Sequence, residues 1–226
     1  MRFRRPEPDG IFPSAVRLPH LCSAGRVQTS EYRFATDARK TWVLAWYLSG
    51  RYCCWVTAAP FFVRTTSEDD WQHLRDLRIE NATDNPISFG ATLETTLGLA
   101  EDDWRARARR GQSDEAASMV AIQNGTERWI GIVSAQSADE DGLDPVLTGV
   151  YVTPDFRGRS YGVADALLHE ILTWAAGRGD SLRLYVYEHG TSARRFYDRH
   201  GFAPTGRTRP LGFTEGRTLE MIKPLR

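Results

Sequence analysis

Cysteine is scarce in this chain and absent after position 54. The three present, Cys22, Cys53 and Cys54, all fall in the first quarter of the 226 residues. A cysteine nucleophile is therefore excluded for everything downstream, and no Cys/His set has the spacing of a zinc site, so no metal is expected. No disulfide framework is implied, which fits a reducing compartment and a cytoplasmic protein. Net charge is lacking as well. The 29 basic side chains are matched by 29 acidic ones, so no global field recommends nucleic acid or an acidic membrane as a partner. Uninterrupted apolar runs are also missing. The nearest approach, Thr41 to Val63, carries Arg51 in its middle, Gly50 beside it and Pro60 near its end. A central arginine is costly in a bilayer helix, which argues against a membrane span. Two phosphate-binding signatures are absent too: the Gly-Lys-Ser/Thr of a P-loop and the three spaced glycines of a dinucleotide fingerprint.

What is there divides near residue 60. Residues 1–60 mix Arg2, Arg4, Arg5, Pro6, Pro8, Pro13 and Pro19 with few periodic apolar positions, and are expected to be an extension, largely disordered or loosely packed. Glu7, Asp9, Glu31 and Asp37 argue against reading the arginine-rich start as a transit peptide. Residues 61–226 suffice for one good-sized domain. Phe61 to Thr66 reads as a strand. Thr66 or Ser67 then caps a helix whose first turn carries Glu68, Asp69 and Asp70 and whose apolar positions are Trp71, Leu74 and Leu77. Residues 87–99 carry no clear pattern, and Ala100 to Arg110 is a short helix. Ser118 to Gln123 and Arg128 to Ala135 are strands joined through Asn124-Gly125, a hairpin signal.

The stretch Val146 to Leu168 organises the remainder. An apolar strand from about Pro145 to Val152, with Gly149 inside it predicting a bulge or a close backbone approach, runs into a loop bearing Arg157, Gly158, Arg159, Ser160 and Gly162. A helix follows over Tyr161 to Ala176, with Val163, Leu167, Leu168, Ile171, Leu172 and Ala175 on one face. A strand, a glycine-containing turn and a helix place a row of backbone N–H groups at the positive end of a helix dipole, where phosphate binds. Arg157 and Arg159 add fork-shaped cationic donors. Ser181 to Tyr187 alternates apolar with polar and completes a βαβ crossover, so its strand runs parallel to the preceding one. Thr191 or Ser192 caps a short helix closed by Gly201, Phe202 begins a strand, and Arg217 to Lys223 is the last strand.

Arg157, Ser160 and Gly162 fall on the Arg-x-x-Gly-x-Gly/Ala of motif A in the GNAT superfamily of N-acetyltransferases, with Ser160 in place of the first glycine. Ala193, Phe196-Tyr197 and Gly201-Phe202 resemble that family's motif B, and Gly190 stands where relatives often carry a coenzyme-contacting asparagine. The resemblance spans about Phe61 to Arg226. It implies an α/β, GNAT-like acyl-CoA N-acyltransferase fold with a central mixed sheet of six or seven strands flanked by helices. It implies transfer of an acetyl group from acetyl-CoA, a co-substrate, to an amine by direct attack in a ternary complex. A non-catalytic acyl-CoA-binding sensor or regulatory module is the alternative. The acceptor would be a small molecule or a protein amine, and a homodimer is compatible with the family.

The same resemblance assigns the coenzyme to Val150, Val152, Arg157, Gly158, Arg159, Ser160, Tyr161 and Gly162. It makes Tyr197 the general acid for the leaving thiolate, and a tyrosine with its ordinary pKa near 10 is protonated at neutral pH. Phe89, Glu94 and Trp104 lie in the segment that covers the acceptor in relatives; read from the residues alone, they are core aromatics and a surface carboxylate. Relatives often carry a glutamate where Val146, Leu147 and Thr148 stand, so the general base is open, with Asp144 and Glu188 the nearest carboxylates at strand ends. His200 reads as ending its helix.

Overall fold

The computed structural model describes residues 60–226 apart from 87–91, 141, 143, 213–214 and 226, together with three short upstream strands. The chain divides into two units, Met1–Ala58 and Ala59–Arg226. In the first, β1 (Ala35–Asp37), β2 (Lys40–Val43) and β3 (Val56–Thr57) form an antiparallel sheet, with Ala35 opposite Trp42 and Trp42 opposite Thr57. The loose packing expected of residues 1–60 otherwise concerns residues outside those described, as do all three cysteines. No described helix is long and apolar enough to cross a membrane.

The second unit is built on seven strands: β4 (Phe61–Thr65), β5 (Ala116–Gln123), β6 (Trp129–Gln136), β7 (Val146–Val152), β8 (Ser181–Tyr187), β9 (Ala203–Pro210) and β10 (Arg217–Pro224). Their order is β4-β5-β6-β7-β8-β10-β9, and every neighbouring pair is antiparallel except β7 and β8. The mixed six- or seven-stranded sheet expected from the family resemblance is thus the architecture observed. The nearly unbroken apolar runs of β5 and β6 suit strands buried on both faces. On one face α4 (Val163–Ala175) sets Val163, Leu167, Leu168, Ile171 and Ala175 into a core shared with Leu147, Leu182, Leu184, Tyr197 and Met221. On the other, α1 (Trp71–Asp84) and α3 (Glu101–Ala108) bring Leu74, Leu77, Trp104 and Ala108 against Val120, Ile122, Ile132 and Tyr151.

Several boundaries move for local reasons. The helix expected from Tyr161 starts at Val163, because Gly162 adopts φ +68°, outside the helical range, and the Tyr161 N–H donates to the Gly158 carbonyl at 3.3 Å. Segment 87–99 contains α2 (Leu93–Leu97), capped by the Thr92 hydroxyl, which accepts from the Thr95 N–H at 3.1 Å. The helix α5 (Thr191–Arg199) is preceded by Gly190 at its N-cap, so Thr191 and Ser192 are helical residues rather than caps. At the other end of the sheet Ser67 begins the turn into α1. The Asp70 carboxylate accepts from the Ser67 N–H at 2.7 Å and from Arg64 at 2.7 and 2.8 Å.

Burial acts to raise Asp70, but Arg64 and the Ser67 donors outweigh it and bring its pKa down to about 2. A carboxylate depressed in the folded state contributes stability that is present above its unfolded value near 3.9 and lost as pH falls through the folded one. Asp70→Asn should therefore lower the unfolding free energy at pH 7 by about 1–2 kcal/mol. The gap from wild type should hold down to roughly pH 4 and close between there and pH 2, as read by urea denaturation across that range.

Candidate active site

The parallel pair β7 and β8 is joined at only two positions, Val146 opposite Arg183 and Leu147 opposite Leu184. Beyond Leu147 the strands part. On the β6 side the register shifts between Ile132, opposite Tyr151, and Ser134, opposite Thr148. That leaves Gly149 and Val150 across from the single residue Val133, which is the bulge anticipated at Gly149. Gly149 holds φ +62°, which a side chain would strain. The Thr153 N–H donates to the Ile130 carbonyl at 3.0 Å. By the alternation of an antiparallel ladder the N–H and C=O of Val152 then face the β8 edge, where no ladder partner meets them.

The gap opens into a cleft of about 610 Å³ that reaches both faces of the sheet. Its walls include Thr148, Gly149 and Val150 from β7, Leu184 to Tyr187 from β8 and Thr218 from β10. On the face shared with α4 it is closed by Gly190, Ala193 and Tyr197. On the opposite face Arg78 and Asn85, at α1, and Arg107 and Arg110, in and just after α3, line it. The arginines and Asn85 carried no motif and were not anticipated. No aspartate or glutamate is among the described lining residues.

Tyr197 is buried, with its ring against Phe196 and Phe202. Burial alone pushes its hydroxyl well above the ordinary tyrosine value, so it is protonated at neutral pH. Gly190 sits 3.1 Å, measured from the position a Cβ would take, from the Tyr187 carbonyl, which leaves little room for a side chain in place of the family's asparagine.

The turn after β7 is exposed. Gly158 and Gly162 take φ +102° and +68°, whereas Ser160 does not have positive φ, so serine there is unstrained. The Ala166 N–H donates to the Gly162 carbonyl at 2.9 Å, which leaves the amides of the first helical turn of α4 without intrahelical acceptors. Tyr161 packs its ring against Phe156 at 5.6 Å. Arg157 is turned back from the turn: its Nε donates to the Val152 carbonyl at 2.8 Å, its guanidinium pairs with Asp84, and it lies 5.5 Å from the Tyr151 ring centre. Tyr151 in turn donates to Glu80 at 3.1 Å.

The two strand-end carboxylates considered as bases stand outside the cleft lining. Asp144 accepts from the Ser181 hydroxyl at 2.7 Å and from the backbone N–H groups of Asp180 and Ser181. The Ser181 hydrogen bond and these amides hold its pKa below the usual carboxylate value. Glu188 accepts from the Arg217 N–H at 2.9 Å. Trp104 is core at 2 % exposure, Glu94 is exposed on α2, and Phe89 lies outside the described residues. His200 meets Asp165 at 2.8 Å, tying the end of α5 to the start of α4.

A family model for the acetyltransferase (GNAT) family matches residues 71–202, more than half of the chain. This chain belongs to the GNAT acetyltransferase family. Solved structures agree on the fold. A GNAT acetyltransferase from Streptococcus pneumoniae superposes with TM-score 0.60 at 20 % identity, covering 74 % of this chain and 99 % of that one. The PaiA N-acetyltransferase of Thermoplasma acidophilum, solved with coenzyme A, gives 0.56 at 19 % identity over 73 % and 98 %. YncA of Salmonella typhimurium, solved with its cofactor acetyl-CoA, gives 0.59 at 18 % over 74 % and 95 %. No curated protein sequence matches the chain.

Asp144 bridges the bases of β7 and β8 through three donors on Asp180 and Ser181. Asp144→Ala should lower the unfolding free energy by about 1–3 kcal/mol, because those donors lose a charged acceptor. Denaturant melts of the two proteins check this; an unchanged midpoint would leave Asp144 without a structural role.

Proposed function

We propose that the protein transfers an acetyl group from acetyl-CoA to the nitrogen of an amine, by direct attack in a ternary complex. The observation that carries the reading is the parted sheet. One cleft opens to Tyr197 on one face and to a polar wall from α1 and α3 on the other, so two substrates can meet inside it from opposite sides. Family membership supplies the reaction class.

In this proposal the pyrophosphate of acetyl-CoA is held at the turn by the amides of Gly158, Arg159, Ser160 and Gly162 and the open first turn of α4, with Tyr161 closing the turn through its bond to the Gly158 carbonyl. Arg157 belongs to the same site. It adds positive charge and fixes the turn to the Val152 carbonyl. Val150 and the N–H of Val152 offer edge contacts for the pantetheine arm where β8 has departed. A donor there also serves the oxygen of the thioester carbonyl as charge develops on it. The neutral amine attacks that carbonyl carbon, the C–N bond forms and the C–S bond breaks. Tyr197 gives its proton to the departing thiolate, and the surplus amine proton leaves to solvent. A buried, protonated tyrosine is suited to donate once and to be refilled from water.

Calorimetric titration of acetyl-CoA, followed by thiol release with a panel of amines, tests the whole proposal. Micromolar binding with release on at least one amine is expected; absence of coenzyme binding would overturn it. Tyr197→Phe should lower kcat by roughly 10²-fold or more with little change in coenzyme affinity, and equal turnover would leave Tyr197 a packing residue. Arg157→Glu should raise the coenzyme Kd at least roughly tenfold, through lost charge and a new carboxylate beside Asp84. Unchanged affinity would remove Arg157 from the site.

A further inference from the structure

The segment Arg105-Ala-Arg-Ala-Arg-Arg110 holds four arginines with two different fates. Arg105 pairs with Glu101 at 2.7 Å, and Arg109 pairs with Glu68 at 2.9 Å. Arg107 and Arg110 have no carboxylate within ion-pair distance among the described residues, and both line the cleft. Arg78, one helix away in space and about thirty positions earlier in sequence, lines it with them. The guanidinium of Arg78 is pushed down to about 9, first by burial and then by the charges of Arg107 and Arg110. Arg110 is lowered by burial and by Arg107. The three cations therefore act on one another. Arg107 and Arg110, two like charges at a half-buried wall that meet no described carboxylate, repel each other, and an anion between them relieves that cost.

The coenzyme phosphates do not fill that role under the reading above. Their turn lies at the start of α4, on one face of the sheet, whereas α1 and α3 pack on the other. A simple amine would not fill it either, because its ammonium would be repelled. Resting on the acetyltransfer reading, we propose that the acceptor is a small amine that carries its own anionic group, a carboxylate or a phosphate, held by Arg78, Arg107 and Arg110. The planar guanidinium forks match both oxyanions. A cleft of about 610 Å³ that must also admit the pantetheine arm has room for a small acceptor of this kind.

The test uses the full chain and acetyl-CoA, with thiol release measured on matched pairs: L-amino acids against their α-carboxamides, and phosphoethanolamine against ethanolamine. The member bearing the anion should show kcat/KM at least roughly tenfold above its neutral partner, and the two series separate carboxylate from phosphate. The double variant Arg107→Gln/Arg110→Gln should raise KM for the preferred anionic acceptor at least roughly tenfold while the Kd for acetyl-CoA holds. The Arg107→Lys/Arg110→Lys variant, which keeps charge, should recover part of the loss. Equal use of charged and neutral partners, preference for a neutral or polycationic amine, or acetylation of acidic peptides but of no small acid would overturn the proposal. Titration of N-acetyl-L-aspartate against its diamide into the coenzyme A-loaded protein reads the same wall without turnover. Tighter binding of the acid, weakened in the Gln variant, supports the anion site even if no acceptor reacts. Equal binding of the two overturns it. Failure of acetyl-CoA itself to bind is instead the failure of the acetyltransfer reading.

Discussion

Everything distinctive in this molecule depends on one place where a sheet stops being a sheet. Backbone N–H and C=O groups normally demand partners when strands lie side by side. Here β7 and β8 keep their ladder for two residue pairs and then separate. Both ends of the fork are built. At the closed end the Arg183 N–H donates to the Pro145 carbonyl at 2.9 Å, Asp144 gathers donors from Asp180 and Ser181, and the buried Arg183 side chain reaches Asp139 at 2.5 Å. At the open end β7 is held by β6 through a bulged register, and β8 is held by β10 along its whole length, from Ser181 opposite Pro224 to Tyr187 opposite Thr218. Each strand is held by its other neighbour, so the ladders on either side set the width of the gap.

Much of this was legible in the residues, and the reason is period. The 3.6-residue spacing of Val163, Leu167, Leu168 and Ile171 fixed the buried face of α4, and the alternation of Leu182, Leu184 and Val186 fixed that of β8. The isolated Gly149 marked the bulge because only a residue without Cβ takes φ +62° there at no cost. What stayed hidden lacks a local signal. Arg105, Arg107, Arg109 and Arg110 look alike in a row, and only the helical phase, together with the tighter turn Arg109–Gln112, decides which face acids and which face the cleft. The partner Arg78 is remote in sequence, so no spacing rule joins them. Arg157 shows the converse limit. Its place in the turn was legible, but its ion pair with Asp84 arises from the tertiary placement of α1.

The missing base can be considered in the same terms. The positions where relatives often carry a glutamate are Val146, Leu147 and Thr148, and among the described residues no carboxylate lines the cleft. An amine reacts only when neutral, so its ammonium proton must be removed somewhere. A wall of three guanidinium groups lowers the pKa of a bound ammonium by direct repulsion, while an anion on the same molecule supplies the attraction that brings it in. Under the proposed reading one feature then does two jobs: the arginines recruit the acceptor by its acid and weaken the hold of its nitrogen on the proton. The proton can pass to water at the open cleft, and Tyr197, kept protonated by burial on the opposite face, remains free for the leaving thiolate. Under the same reading the arginine wall acts on the amine nitrogen and Tyr197 on the thiolate sulfur from different faces of the sheet, and only a sheet that parts between them lets both serve one acyl transfer.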